Sequence, residues 1–104
     1  MQKIIKLYNL KPGVSIEEFR RWSEAVNLPA LRSLPSLWHV EMIEMRASNK
    51  KGGLPFQIAE VIEAESYEEW LKIDERADMQ KVAKEWNSYV DASSALELCG
   101  DKIK

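Results

Sequence analysis

One phrase occurs twice in this chain. Ser15-Ile16-Glu17-Glu18-Phe19 and Ser66-Tyr67-Glu68-Glu69-Trp70 share the pattern Ser-x-Glu-Glu-aromatic, about half a chain apart in 104 residues. Each copy follows an apolar run of strand type and opens a run of helical period. The serine oxygen can accept from the amide three residues on. The glutamate at that position can reach back to the serine amide, completing a capping box. Two strand-to-helix junctions at half-length spacing predict a pseudo-duplicated β-α-β-β-α-β chain. Parallel β-α-β crossovers are right-handed. The two units therefore interleave into a ferredoxin-like α+β plait, a four-stranded antiparallel sheet with helices on one face.

The remaining punctuation supports this order. Lys3 to Leu10 reads as a strand, with Ile5, Leu7 and Asn9 on one face and Ile4, Tyr8 and Leu10 on the other. The first helix runs from Ile16 toward Val26, and Pro29 ends or re-aims it. Leu28, Leu31 and Leu34 form a short helical cap. Leu37 to Ala47 and Phe56 to Glu65 read as strands around the polar loop Ser48–Pro55. The second helix starts at Tyr67, breaks near Arg76-Ala77-Asp78, and resumes through Met79, Val82, Trp86 and Tyr89. Ser94 to Cys99 is a short last strand. Residues 1–104 form one domain of this kind. The helix-free face, to which Val40 and Val61 are assigned, stays apolar at alternating positions and predicts a homodimer with sheets packed face to face.

Composition excludes several functions. The net charge is −2, with 15 basic and 17 acidic residues, which leaves no basic footprint for nucleic acid. No apolar run approaches the roughly 20 residues of a membrane span, and the first residues are too polar for a secretory signal. The single cysteine, Cys99, fits a reducing cytoplasm and reads as a buried small apolar side chain. One His and one Cys make no metal ligand set, and Gly52-Gly53 lacks the Lys-Ser/Thr of a phosphate loop. No cofactor is expected.

His39 is the only histidine. Strand alternation puts it beside Leu37, Glu41, Ile43 and Met45, with its side chain and that of Glu41 roughly 7 Å apart. Histidine alone has an unperturbed pKa near neutrality, so His39 is the candidate general acid/base, with Glu41 or Glu60 orienting it. Four tryptophans are many for this length. Trp38, Trp70 and Trp86, with Tyr8, Asn9 and Tyr89, are the candidate walls of a cavity for a flat aromatic molecule.

Three segments together resemble a known group: Lys11-Pro12-Gly13-Val14-Ser15-Ile16-Glu17-Glu18-Phe19, Pro35-Ser36-Leu37-Trp38-His39-Val40 and Ser66-Tyr67-Glu68-Glu69-Trp70. Over essentially the whole chain the sequence resembles the dimeric α/β-barrel superfamily and, within it, the RedY-like HapK family. The resemblance implies a homodimer and a setting in prodigiosin-type tripyrrole pigment biosynthesis or related pathways. Its implied partners are an apolar pyrrole-type molecule and a pathway condensing enzyme. The reading is acid/base assistance to a condensation or cyclisation, with a carboxylate steadying a cationic pyrrole. A non-catalytic, chaperone-like role beside a condensing enzyme and a cofactor-free monooxygenase remain open alternatives, since one fold hosts many activities.

Overall fold

The computed structural model describes residues 1–104. Its strands are β1 (Gln2–Leu10), β2 (Leu37–Glu44), β3 (Ile58–Ala64) and β4 (Val90–Gly100), hydrogen-bonded in the order β2-β3-β1-β4. All three pairings are antiparallel. The helices α1 (Ile16–Trp22), α2 (Leu28–Arg32), α3 (Tyr67–Asp74) and α4 (Ala77–Tyr89) complete the expected plait. No helix is long and apolar enough to cross a membrane.

Both repeated serines cap their helices. Ser15 Oγ accepts from the Glu18 amide at 3.1 Å, and Ser66 Oγ accepts from the Glu69 amide at 3.1 Å. The acidic first turns suit the positive end of the helix dipole. The reciprocal half of the box does not form. The Glu18 carboxylate meets the Ser15 hydroxyl instead, and Glu69 turns to Lys72.

Pro29 does not end the first helix. A π turn, Ser23–Asn27, joins α1 to α2, and the Leu28 amide donates to Ser23 O five residues back. The wider turn accommodates a proline that lacks a donor and crowds the preceding turn. It also sets where Asn27 points.

Strand β2 carries a second irregularity. Leu37 pairs with Ala64, and His39 pairs with Glu63, so Trp38 is an extra residue bulged from the ladder and 63% exposed. The bulge puts Leu37 and His39 on opposite faces. Leu37, Val40 and Met42 point to the helices, while His39, Glu41 and Ile43 point to the open face. Val40 is thus a core residue, 3% exposed, and not part of the helix-free face. Cys99, expected inside, is exposed near the end of edge strand β4. That strand starts at Val90, directly after α4, earlier than its apolar pattern suggests.

The open face presents Ile5, Leu7, Val61, Leu96 and Leu98, which are paired across β3, β1 and β4. Ile5, Leu96 and Leu98 are exposed. On the other face the core is split in two. One cluster gathers Ile4, Leu31, Leu37, Val40, Ile62, Trp70 and Ile73. The second gathers Tyr8, Leu10, Phe19, Trp22, Ile58 and Val90.

Candidate functional site

The split in the core has a sequence cause. The helix-facing positions of β1 read Ile4-Lys6-Tyr8-Leu10, and those of β3 read Ile58-Glu60-Ile62-Ala64. A charged residue interrupts each strand, and register brings the two together, Lys6 opposite Glu60. Lys6 is also opposite Glu97 on β4. A row Glu60–Lys6–Glu97 therefore crosses the sheet under the helices, between the two apolar clusters. Burying charge is expensive unless it is paired and hydrogen-bonded, so such a row needs partners.

Glu60 has them. It is 2% exposed, and both its oxygens accept hydrogen bonds. Tyr8 Oη donates to Oε2 at 2.7 Å, and Asn27 Nδ2 donates to Oε1 at 3.3 Å. Two donors on two oxygens is the pattern an ionised carboxylate accepts. Burial, reinforced by the Glu60 charge, pushes the Tyr8 phenol far above its ordinary value, so Tyr8 remains a hydrogen-bond donor. Asn27 is the last residue of the π turn, which faces it toward Glu60.

A cavity of about 230 Å³ opens over this row, lined by Lys6, Asn27, Glu60, Trp70, Asp74 and Trp86, with Leu31, Met79, Val82 and Ala83 as its apolar wall. The Lys6 ammonium sits over the Trp86 ring, 4.7 Å from its centroid. Trp86 meets the Tyr8 ring edge-on at 5.0 Å, and its indole N–H is buried without an aligned acceptor. Trp70 is fixed by its indole N–H, which donates to Glu97 Oε1 at 3.1 Å, while Tyr67 Oη donates to Glu97 Oε2 at 2.8 Å. Partial desolvation raises the pKa of the otherwise exposed Asp74 carboxyl, Lys6 opposing that shift and Glu97 adding to it. The volume lies just below the roughly 300–1,000 Å³ of common ligand sites.

The structure divides the sequence-derived candidates. Glu60, Trp70 and Trp86 line this cavity, and Tyr8 is buried beneath it, bonded to Glu60. Tyr89 packs beside it against Trp22 and Phe19, at 5.3 and 6.2 Å between ring centroids. His39 and Glu41 lie outside this cavity on β2, both half-exposed, with Nε2 and Oε2 3.5 Å apart, and Glu41 is at the rim of a second opening. Asn9 has both ends of its amide committed to backbone, Nδ2 to Pro55 O and Oδ1 to the Gln57 amide, where it pins the end of the hairpin loop. Lys6, Asn27, Asp74 and Glu97 are additions from the structure. Lys6 was legible as a charge at an inward alternate of an otherwise apolar strand.

A larger opening, about 270 Å³, lies between α1, the π turn and β2. Its cations are already engaged, Arg20 with Glu44 and Arg32 with Val40 O. The smaller cavity holds the buried carboxylate and the indole walls, and it is the candidate site.

Comparison with known proteins fits this architecture. The family model described as REDY-like protein HapK matches residues 2–103. The chain belongs to the HapK family. Crystalline HapK from Hahella chejuensis superposes with a TM-score of 0.81 at 18% identity, covering 99% of this chain and 93% of that one. At3g17210 from Arabidopsis thaliana gives 0.78 at 15% identity, covering 100% and 97%. A dimeric protein of unknown function with a ferredoxin-like fold from Bacteroides fragilis gives 0.67 at 17%, covering 97% and 95%. At these identities the likeness speaks for the fold. No curated protein matches this HapK-family chain.

Proposed function

We propose that this chain serves tripyrrole-type pigment biosynthesis in the cytoplasm. It holds a flat, apolar pyrrole-type intermediate in the cavity between sheet and helices and assists its condensation or cyclisation by acid/base chemistry. The observation that carries the reading is the buried Glu60 carboxylate, held by Tyr8 and Asn27 under two tryptophans, in a member of the HapK family. Condensing an aromatic aldehyde with a pyrrole forms one carbon–carbon bond and breaks the carbon–oxygen double bond. The oxygen leaves as water with the ring C–H proton, relayed by a base, and one proton from an acid, and the conjugated product is left as its protonated cation. Glu60 is placed to accept the ring proton. Lys6, its cross-strand neighbour, is an ammonium donor for the departing oxygen. Tyr8 stays protonated and keeps Glu60 oriented. The working form is a homodimer, with the apolar open faces of two sheets packed together. His39 and Glu41 belong to that face and take no part in the proton transfers of the cavity.

The test is turnover. A monopyrrole and a bipyrrole carbaldehyde are incubated with the purified protein, and the visible absorbance of the conjugated product is followed. Wild type should exceed the buffer rate, and Glu60→Gln should lose about a hundredfold or more of that excess, the usual scale of general acid/base catalysis. A folded Glu60→Gln protein with unchanged rate removes Glu60 from the chemistry. A wild type no faster than buffer leaves a holding protein that delivers its ligand to another enzyme.

A further inference from the structure

The cavity already holds a cation on an aromatic face. Lys6 Nζ lies 4.7 Å from the Trp86 centroid and makes no ion pair with Glu60, Glu97 or Asp74, although it shares their neighbourhood. An indole face attracts a cation through its quadrupole, more strongly as water is excluded. Around that single ammonium stand three carboxyl groups. Glu60 and Asp74 line the cavity, and Glu97 holds the Trp70 wall. The acids outnumber the ammonium in a space walled by Trp70 and Trp86.

We infer that the site selects flat aromatic cations over neutral isosteres, and that Lys6 is a resident cation which the ligand displaces from Trp86. This rests on the reading that the cavity takes a flat aromatic ligand, and it adds the ligand's charge. A planar cation stacked on Trp86 takes the seat of the ammonium. The flexible four-carbon stem lets Lys6 swing along its row toward Glu97, so its charge stays paired. Glu60 then faces the ligand's positive charge at short range in a poorly solvated space, where attraction is strong. For the condensation above, the favoured species is the positively charged ring system formed once water has left, not the neutral aldehyde. The transition state for expelling water already carries part of that charge, and attraction stronger there than in the starting material is what accelerates a reaction.

Three probes of one shape and different charge decide it: N-methylquinolinium, 1-methylnaphthalene and 1-naphthoate. Each is titrated into the wild-type protein at low salt by calorimetry, with the Trp86 indole N–H followed by NMR to mark the site. N-methylquinolinium should bind at least tenfold tighter than 1-methylnaphthalene, and 1-naphthoate should bind weakest. Lys6→Met should strengthen quinolinium binding several-fold and methylnaphthalene binding by clearly less, since both gain the vacated Trp86 face but only the cation is also freed from like-charge repulsion. If methylnaphthalene shifts the Trp86 signal and binds as tightly as quinolinium, the charge inference fails and the cavity reading stands. If no probe shifts that signal, both fail. A Lys6→Met protein that stays folded and binds quinolinium more weakly also overturns the inference, because Lys6 would then support the cation and not compete with it.

Discussion

Val40→Asp and Val61→Asp should have opposite outcomes, although both place one carboxylate on a strand of the same sheet. Val40 points into the helix-side core and is 3% exposed. An unpaired charge there costs roughly 3–5 kcal/mol, a large part of the roughly 5–15 kcal/mol that holds a domain together. At about 4–8 °C per kcal/mol for a chain of this size, Val40→Asp should lower Tm by well over 10 °C. Val61 lies on the open face, opposite Ile5 on β1 and Glu41 on β2. Val61→Asp should keep its helical circular dichroism, yet light scattering should report the 12.0 kDa of one chain where wild type reports twice that mass. A Val61→Asp protein that remains a dimer would move the interface elsewhere. A wild-type mass of one chain would remove it.

Tyr8→Phe should be the costliest single-atom deletion in the molecule. It takes one donor from a carboxylate that is almost fully buried and has only two. Hydrogen bonds to charged groups contribute about 1.5–3 kcal/mol, and a buried acceptor left without its donor adds its desolvation cost. The expected fall in Tm is roughly 10–20 °C. Glu60→Gln, which keeps a carbonyl oxygen and the same shape, should cost less. The double variant should be clearly less destabilised than the sum of the single ones, because losing the Tyr8 hydroxyl strands no charge once a neutral amide replaces the Glu60 carboxylate. Chemical denaturation of the four proteins measures this. Strict additivity would show that the 2.7 Å contact does not couple the two residues energetically.

Local signals in the sequence were sufficient for the architecture. Ser15 and Ser66 both cap helices, the α3–α4 break falls at Glu75–Arg76, and the polar loop between β2 and β3 is a hairpin connection with Gly52 and Gly53 at positive φ. Each depends on neighbours within a few residues. What alternation could not supply were two backbone insertions. The π turn at Ser23–Asn27 keeps the chain helical past Pro29 and aims Asn27 at Glu60. The bulge at Trp38 reverses the face of every β2 residue on one side of it, because side chains alternate with period 2. Without the bulge His39 shares a face with Leu37; with it His39 lies on the open side.

The site itself depends on register. Glu60, Lys6 and Glu97 are far apart in sequence and meet only when β3, β1 and β4 pair as they do. Glu60 was identifiable as a carboxylate among inward apolar residues. The pairing was not, because Lys6, though legible as a charge at an alternate of an apolar strand, has no partner until the strand opposite it is known. His39 attracted attention through its intrinsic acidity, a property of the residue type. The acid/base candidates the fold assembles are a carboxylate and an ammonium, oriented by a phenol that keeps its proton, and their use depends on where they are held.

The central claim is that the ligand lies over Glu60 on the helix side of the sheet, and a binding titration of two variants tests it most directly. Ala83 lines the cavity from α4 and is itself exposed, so Ala83→Trp can fill the space without being forced into the core. His39→Ala changes the opposite face. A bipyrrole carbaldehyde is titrated into each folded variant and into wild type, with tryptophan emission as the signal. Affinity should fall at least tenfold in Ala83→Trp and stay within twofold of wild type in His39→Ala. Undiminished binding by Ala83→Trp, with binding lost in His39→Ala, would contradict the account and place the ligand on the open face.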